Sequence, residues 1–380
     1  MKKNIIFYIC CAVFWIICWI LLKILVFNKY NSENISLKNV WNNWWINNWD
    51  IHILPSIDDE VEDNSMWCWT FQLVWNDMVN EVVKQDVVFT PQLKIVENLN
   101  KQTFKKRELS PTSYYAKFWL LTLDLKDEIE KWIKNKFNET SNVLNQLDWS
   151  NVPQSDSYYY NWKKRARYWF YAMLKKIFKF ENVFDELDSW RFNNKHDNIK
   201  YFWIKWTSDS KLYKQVYIYY YNSDNDFAVF LKTKEGENVI LARWVSWNSF
   251  MDIYNNILKN RVEYKWNHYF TKNDYLKVPE LSIKTLAEFT ELEDKEFTTV
   301  GGIWKIEKAL QTIELKLDEK WWEIKSEAWI MAEIEDSELP MVEEHRYFYF
   351  DKPYIIMLKE SDKDLPYFAA QISDITLFQN

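Results

Sequence analysis

Twenty-four Trp against 3 Gly in 380 residues is the feature that most limits how this chain can fold. Glycine makes up about 7% of an average protein, roughly 27 residues at this length, and the Trp and Gly counts together match that figure. Glycine also serves wherever the backbone must take φ > 0, so a folded chain almost without it is a physical problem. Several Trp stand in glycine-like surroundings: Asn39–Asp50 reads NVWNNWWINNWD and Asp318–Glu323 reads DEKWWE. Some uncultured bacterial lineages read UGA as glycine, and a translation table that assigns UGA to Trp prints those residues as Trp. Most of the Trp are therefore expected to be glycines in the living protein. The competing reading is a truly Trp-rich carbohydrate or peptide binder.

At 48% hydrophobic and 27% charged, the chain is expected to hold one large domain or two small ones with a soluble core. A net charge of −7 with no clustered basic face argues against a nucleic-acid partner. The short basic run Lys164, Arg165, Arg167 reads as a solvated face. At the N-terminus, Lys2 and Lys3 precede an uncharged run from Ile5 to Leu22, followed by Lys23 and Ile24–Phe27. A spanning helix needs about 20 apolar residues. A cleaved signal peptide and an uncleaved signal anchor compete here. The length of the run and the lack of a small-x-small cleavage site favour the anchor, with the bulk of the chain outside. Cys10, Cys11 and Cys18 raise an acylated lipoprotein as a further alternative, but no lipobox precedes them. The expected organisation is a transmembrane signal anchor over 1–27, a polar and acidic linker over 28–65, and an extracytoplasmic domain over 66–380.

Outside the anchor only Cys68 remains, so neither an intrachain disulfide nor a cysteine-based zinc site is expected. Among apolar neighbours, Cys68 reads as a buried small hydrophobe. His52, His196, His268 and His345 share no ligand spacing. Restoring glycines yields no GxGxxG, P-loop or G-x-S-x-G; Gly301–Lys305 comes closest to the first two and lacks the spacing. No catalytic residue, metal or cofactor is therefore assigned, and an enzyme is not expected.

Phe71, Val74, Trp75, Met78, Val79 and Val82 recur at helical spacing, with Trp75 a candidate genuine Trp on that face. Phe118, Leu121, Leu125, Ile129, Ile133 and Phe137 predict a second helix, and Phe250–Leu258 a third. Strand signals then dominate. They cover Gln215–Tyr221, then Asp226–Lys232 and Asn238–Arg243 around a turn at Gly236. The alternating Ile313, Leu315 and Leu317 follow, then Tyr347–Leu358 interrupted at Pro353, and Tyr367–Ile372. Early helices and late strands without βαβ alternation predict an α+β fold with a large mixed sheet.

In the C-terminal third the order of pieces resembles the serpin superfamily. Val278–Ile283 (VPELSI) resembles the lead-in to a strand. Leu310–Glu319 (LQTIELKLDE), with Lys320 and Trp321 read as Gly, resembles the strand and Glu-x-Gly hinge that open the reactive-centre loop. Glu323–Arg346 occupies the place of that loop. Phe350–Leu358 resembles the Phe-x-x-Pro-Phe strand, and Pro366–Ile372 the closing strand. The resemblance covers about residues 275–374 and is weak before that, although Ala172–Phe180 and the strands from Gln215 follow in the right order.

The resemblance implies an α+β serpin-like fold with no catalytic activity. It also implies an exposed loop offered to a target protease and, after cleavage, insertion of that loop as a strand into the central sheet. Glu319, Lys320 and Trp321 would form the hinge, and counting from Glu319 places the scissile bond near Glu335–Asp336. Inhibitory members carry small uncharged residues where this chain has Glu323, Ile324, Lys325, Ser326 and Glu327. Burying Lys325 or Glu327 without a partner would cost several kcal/mol, unless their side of the strand faces solvent. The loop is also about seven residues longer than the family pattern. The alternative reading is a non-inhibitory extracytoplasmic binding or structural protein, and a hydrolase stands third.

Overall fold

Alternation and β-branched runs in the sequence become three separate sheets in the computed structural model. It describes residues 50–379 apart from 104–105, 109, 111–113, 121, 139–143, 145–148, 151, 156–166, 178, 235, 244–247, 300–301 and 320–344. The segment 1–27 and most of the expected linker lie outside the described residues. In chain order the strands are β1 (His52–Leu54), β2 (Ser65–Cys68), β3 (Tyr114–Leu120), β4 (Arg167–Ile177), β5 (Asp185–Phe192), β6 (His196–Ile204), β7 (Val216–Ser223) and β8 (Asp226–Lys232). There follow β9 (Glu237–Arg243), β10 (Asp274–Pro279), β11 (Leu281–Glu288), β12 (Lys295–Thr299), β13 (Gly302–Leu317), β14 (Arg346–Tyr349), β15 (Tyr354–Glu360) and β16 (Phe368–Ile372). The described α-helices are α1 (Trp69–Asp77), α2 (Lys94–Asn100), α3 (Leu123–Phe137), α4 (Ser210–Tyr213) and α5 (Phe250–Glu263). None of the described helices is long and apolar enough to cross a membrane.

The largest sheet runs β1-β2-β16-β15-β9-β8-β7, the second β14-β10-β6-β5, and the third β11-β13-β4-β3 with β12 beside β13. In the first, β15 and β9 are buried almost throughout, as befits strands covered on both faces. The expected hairpin joins β8 to β9, and Gly236 takes φ +84° in its turn. The break at Pro353 falls where the chain leaves β14 in one sheet for β15 in another.

Two expectations are corrected. The helix drawn through Phe118 begins only at Leu123, because Thr122 caps it by accepting the Leu125 N–H at 3.0 Å. Tyr114–Leu120 instead pairs with β4 as an antiparallel strand. The end of the stretch expected to be a solvated linker also belongs to the fold. Ile51 and Ile57 are buried, and β1 pairs with β2. Two of its acidic residues are tied in: Asp59 accepts from Ser56 N at 2.8 Å and from Asn98 Nδ2 at 2.7 Å, and Asp63 from Ser373 Oγ at 2.8 Å.

The helix predicted around Phe71 is α1, continued by a π-helical turn at Met78–Val83. Phe71, Val74, Trp75, Met78 and Val79 pack with Phe289, Phe297, Ile306 and Ala309 into one core. Trp75 fits that core as an indole: it is fully buried and donates Nε1–H to Asn100 Oδ1 at 3.1 Å. Trp67 and Trp69 are buried as completely, whereas Trp206 and Trp266 are 70% and 74% exposed. Among the described residues, the non-glycine positions with positive φ are five Asn, Asp294, Lys84 and Gln102, and no Trp. The short polar side chain of Asn tolerates that region by bonding locally, so Asn takes over part of glycine's backbone role. Trp75→Gly is expected to destabilise the fold by about 3–5 kcal/mol. Trp266→Gly should cost under about 0.5 kcal/mol. Urea midpoints at unchanged m-value test both.

Candidate functional site: the seam beside β13 and its hinge

β13 has neighbours on both sides. On one side it pairs antiparallel with β11, from Leu281 opposite Leu317 to Glu288 opposite Leu310. On the other it pairs parallel with β4, from Lys305 beside Arg167 to Lys316 beside Ile177, with a register shift between Ile306 and Lys308. The seam is tied to the helix above it by a buried amide. Gln311 donates Nε2–H to Thr70 Oγ1 at 2.7 Å and to the Cys68 carbonyl at 3.1 Å. Cys68 itself is buried, and burial pushes its thiol up to about 11, which leaves it inert as a nucleophile.

At the C-terminal end of β13 the chain passes through Asp318 to Glu319 and then leaves the described residues. Glu319 is only 2% exposed. Its carboxyl is hydrogen-bonded to that of Glu280, the residue that links β10 to β11. Burial, then the bond to Glu319 and its charge, pushes the Glu280 carboxyl up to about 7; Lys200 pulls the other way and Asp318 adds to the rise. The Glu280 N–H donates to the Lys200 carbonyl at 3.0 Å, and Gln379 Nε2 donates to the Glu280 carbonyl at 3.0 Å. Lys316 Nζ stands 2.6 Å from Asp318 Oδ2.

The chain returns at His345 and enters β14 in the second sheet. Arg346 anchors this return. Its Nε and Nη2 hold Asp274 Oδ1 and Oδ2 at 2.7 and 3.0 Å, and Nη1 donates to Tyr264 Oη at 3.1 Å and the Asn267 carbonyl at 2.9 Å. Burial opposes the guanidinium charge, but the bonds to Asp274 and Tyr264 outweigh it and hold Arg346 above its ordinary range. Both ends of residues 320–344 are thus fixed, one by a carboxyl pair and the other by a bidentate ion pair. Asp274 is 1% exposed at its side chain, so Asp274→Asn strands a buried cation. The expected cost is about 3–5 kcal/mol, read as a lowered denaturation midpoint.

Of the residues predicted to act, Glu319 is placed just beyond the C-terminal end of β13. Lys320, Trp321, Glu335 and Asp336 lie outside the described residues. Sequence reading missed Glu280 as a partner of Glu319, and Asp274 as a partner of Arg346. Both pairs depend on strand pairing, which single-strand periodicity does not carry. A separate cleft of about 330 Å³ is lined by Asn225, Arg243, Lys352, Gln371 and the stretch Pro353–Ile355. Arg243 there is bonded to the Tyr349 carbonyl at 2.6 Å and to Asn225 Oδ1 at 2.9 Å. Its lining carries Lys352 and Tyr354 as titratable groups beside Arg243, with no carboxylate or His among the lining residues.

No protein-family model matches the sequence, and no curated protein matches it. By structure, the chain is similar to serpins. The native-state structure of Tengpin, a thermophilic serpin, matches with a TM-score of 0.50 at 12% identity, covering 84% of this chain and 92% of Tengpin. Maspin matches with a TM-score of 0.47 at 10% identity, over 81% of this chain and 92% of its own. Serpin48 of the insect Tenebrio molitor gives 0.41 at 10% identity, over 72% and 79%. The fold is serpin-like, and the likeness to Tengpin reaches well beyond the C-terminal third in which the sequence resemblance was legible.

Proposed function

We propose that this chain is a membrane-anchored, extracytoplasmic serpin-like protein that inhibits a protease through residues 323–346. The observation that carries this reading is the direct parallel pairing of β4 and β13. A strand that follows β13 through a turn runs antiparallel to it, and hence antiparallel to β4 as well. Placed between the two, it replaces one parallel contact by two antiparallel ladders, the more stable pairing per residue.

The sequence of the segment fits such a strand. Ile324, Ser326, Ala328, Ile330, Ala332 and Ile334 fall on one parity, and Glu323, Lys325, Glu327, Glu333 and Glu335 on the other. Successive side chains of a strand point to opposite faces, so insertion with the first set inward buries no charge. The scissile bond is assigned to Glu335–Asp336 and the hinge to Glu319, Lys320 and Trp321. An acidic residue before the cut calls for a protease with a cationic specificity pocket. The anchor is assigned to 1–27 from its uncharged run and flanking lysines. The UGA reading of most Trp stands beside this proposal, and native peptide masses decide it residue by residue.

The second reading is a non-inhibitory binding or structural protein. The charges at Glu323, Lys325 and Glu327, at the start of the segment, favour it.

The test is incubation with a panel of serine and cysteine proteases that includes a Glu-selective one. Inhibition predicts a protease-linked band that survives boiling, and a cleaved form that melts well above the intact chain. Ala328→Glu, on the inward parity, should abolish both, because burying an unpaired carboxylate costs several kcal/mol. Glu333→Lys, on the outward parity, should leave both intact. Clean cleavage with no linked band and no rise in melting temperature supports the binding-protein reading.

A further inference from the structure

We propose that Glu280 and Glu319 form a proton-held latch, in which one shared proton fastens the end of β13 to the link between β10 and β11 and its loss loosens that end. Glu319 is nearly inaccessible, and Glu280 is held in place through its own backbone by Lys200 and Gln379. Two carboxylates in contact cannot both ionise without mutual repulsion in a site with little water. With one proton present, the pair is a hydrogen bond across the junction of two sheets. Without it, two negative charges meet there, with Asp318 adjacent.

Among the described residues, the charged groups that face the pair are Lys200 from β6, and Asp318 with its partner Lys316 from the end of β13. The Lys200 charge favours ionisation of Glu280, but it does not offset burial and Glu319. The direction of the pH effect follows. A carboxyl whose proton is held more tightly in the folded chain stabilises the fold fully below its unfolded value of 4.5, and that stabilisation is lost progressively up to about 7. The loss is felt where β13 gives way to the residues proposed above as bait. The latch holds whether or not that segment inserts, because it rests on residues 280 and 317–319 alone.

The experiment uses the full chain, with Glu280→Gln and Glu319→Gln beside it. Carbon-13 NMR of labelled Glu side chains should show one carboxyl titrating near pH 7 in the wild type. Hydrogen exchange, corrected for intrinsic base catalysis, should show protection at Lys316–Glu319 falling several-fold between pH 6 and pH 8. In Glu280→Gln the amide donates to Glu319 at either pH, so that protection should stay constant and exceed the wild type at pH 8. Absence of any Glu titrating above the ordinary carboxyl range overturns the latch, and that result needs no variant to fold. Equal loss of protection in wild type and Glu280→Gln also overturns it. Neither readout involves a protease, so failure of inhibition and failure of the latch are separate outcomes.

Discussion

The contact on which the rest of the molecule depends is the parallel ladder between β4 and β13. Parallel strands cannot be joined by a tight turn, so this contact brings together segments more than a hundred residues apart. It fixes the middle of the third sheet, on whose face α1 lays Phe71, Val74 and Trp75 against Phe289, Ile306 and Ala309. Gln311, inside the ladder, is bonded to both Thr70 and Cys68, so the seam and the start of the helix are registered to each other. Moving β13 relative to the start of α1 therefore has to break those bonds, and a buried amide left unpaired costs about 1–3 kcal/mol.

Strands were legible in the sequence wherever one face alternated or a run was apolar throughout. Asp226–Lys232 was read to the residue, and the turn at Gly236 is where the hairpin needs positive φ. The end of β3, from Phe118 to Leu120, was absorbed into a helix because Phe118, Leu121 and Leu125 fall at 3.6-residue spacing by coincidence across a Thr122 cap. Pairing was not legible at all. Nothing in Val278–Ile283 or in Leu310–Glu319 says that Leu281 stands opposite Leu317. Yet that register brings Glu280 to Glu319. Glu319 was singled out from the order of pieces, and its partner emerges only from the sheet.

The near-absence of glycine reads differently once the backbone is known. Asn64, Asn138, Asn193, Asn194 and Asn198 take left-handed conformations that glycine would otherwise supply. The Trp divide by environment instead. Trp67, Trp69 and Trp75 fill core volume, and Trp119, Trp190, Trp206 and Trp266 stand out from the surface. A codon reassignment acts on both sets alike, whereas packing distinguishes them sharply. Conversion to glycine at Trp206 and Trp266, 70% and 74% exposed, removes apolar surface from water at little cost in packing. At Trp75 it removes an indole that touches two helices' worth of core and holds Asn100.

The two ends of the segment between β13 and β14 are held by opposite electrostatic strategies. At the return, Arg346 and Asp274 form a bidentate ion pair in a largely dry site. At the departure, Glu280 and Glu319 are two carboxyls in contact, held together by one proton in the latch proposed above. A fixed far end and a titratable near end make the segment asymmetric. In the mechanism proposed above, release would begin at the β13 side, because parting Arg346 from Asp274 at β14 would strand a buried cation. The parity of the charges agrees with that asymmetry. In the sequence, Ile324, Ser326 and Ala328 alternate with Glu323, Lys325 and Glu327, so the inward parity proposed above carries no charge in the residues that follow β13.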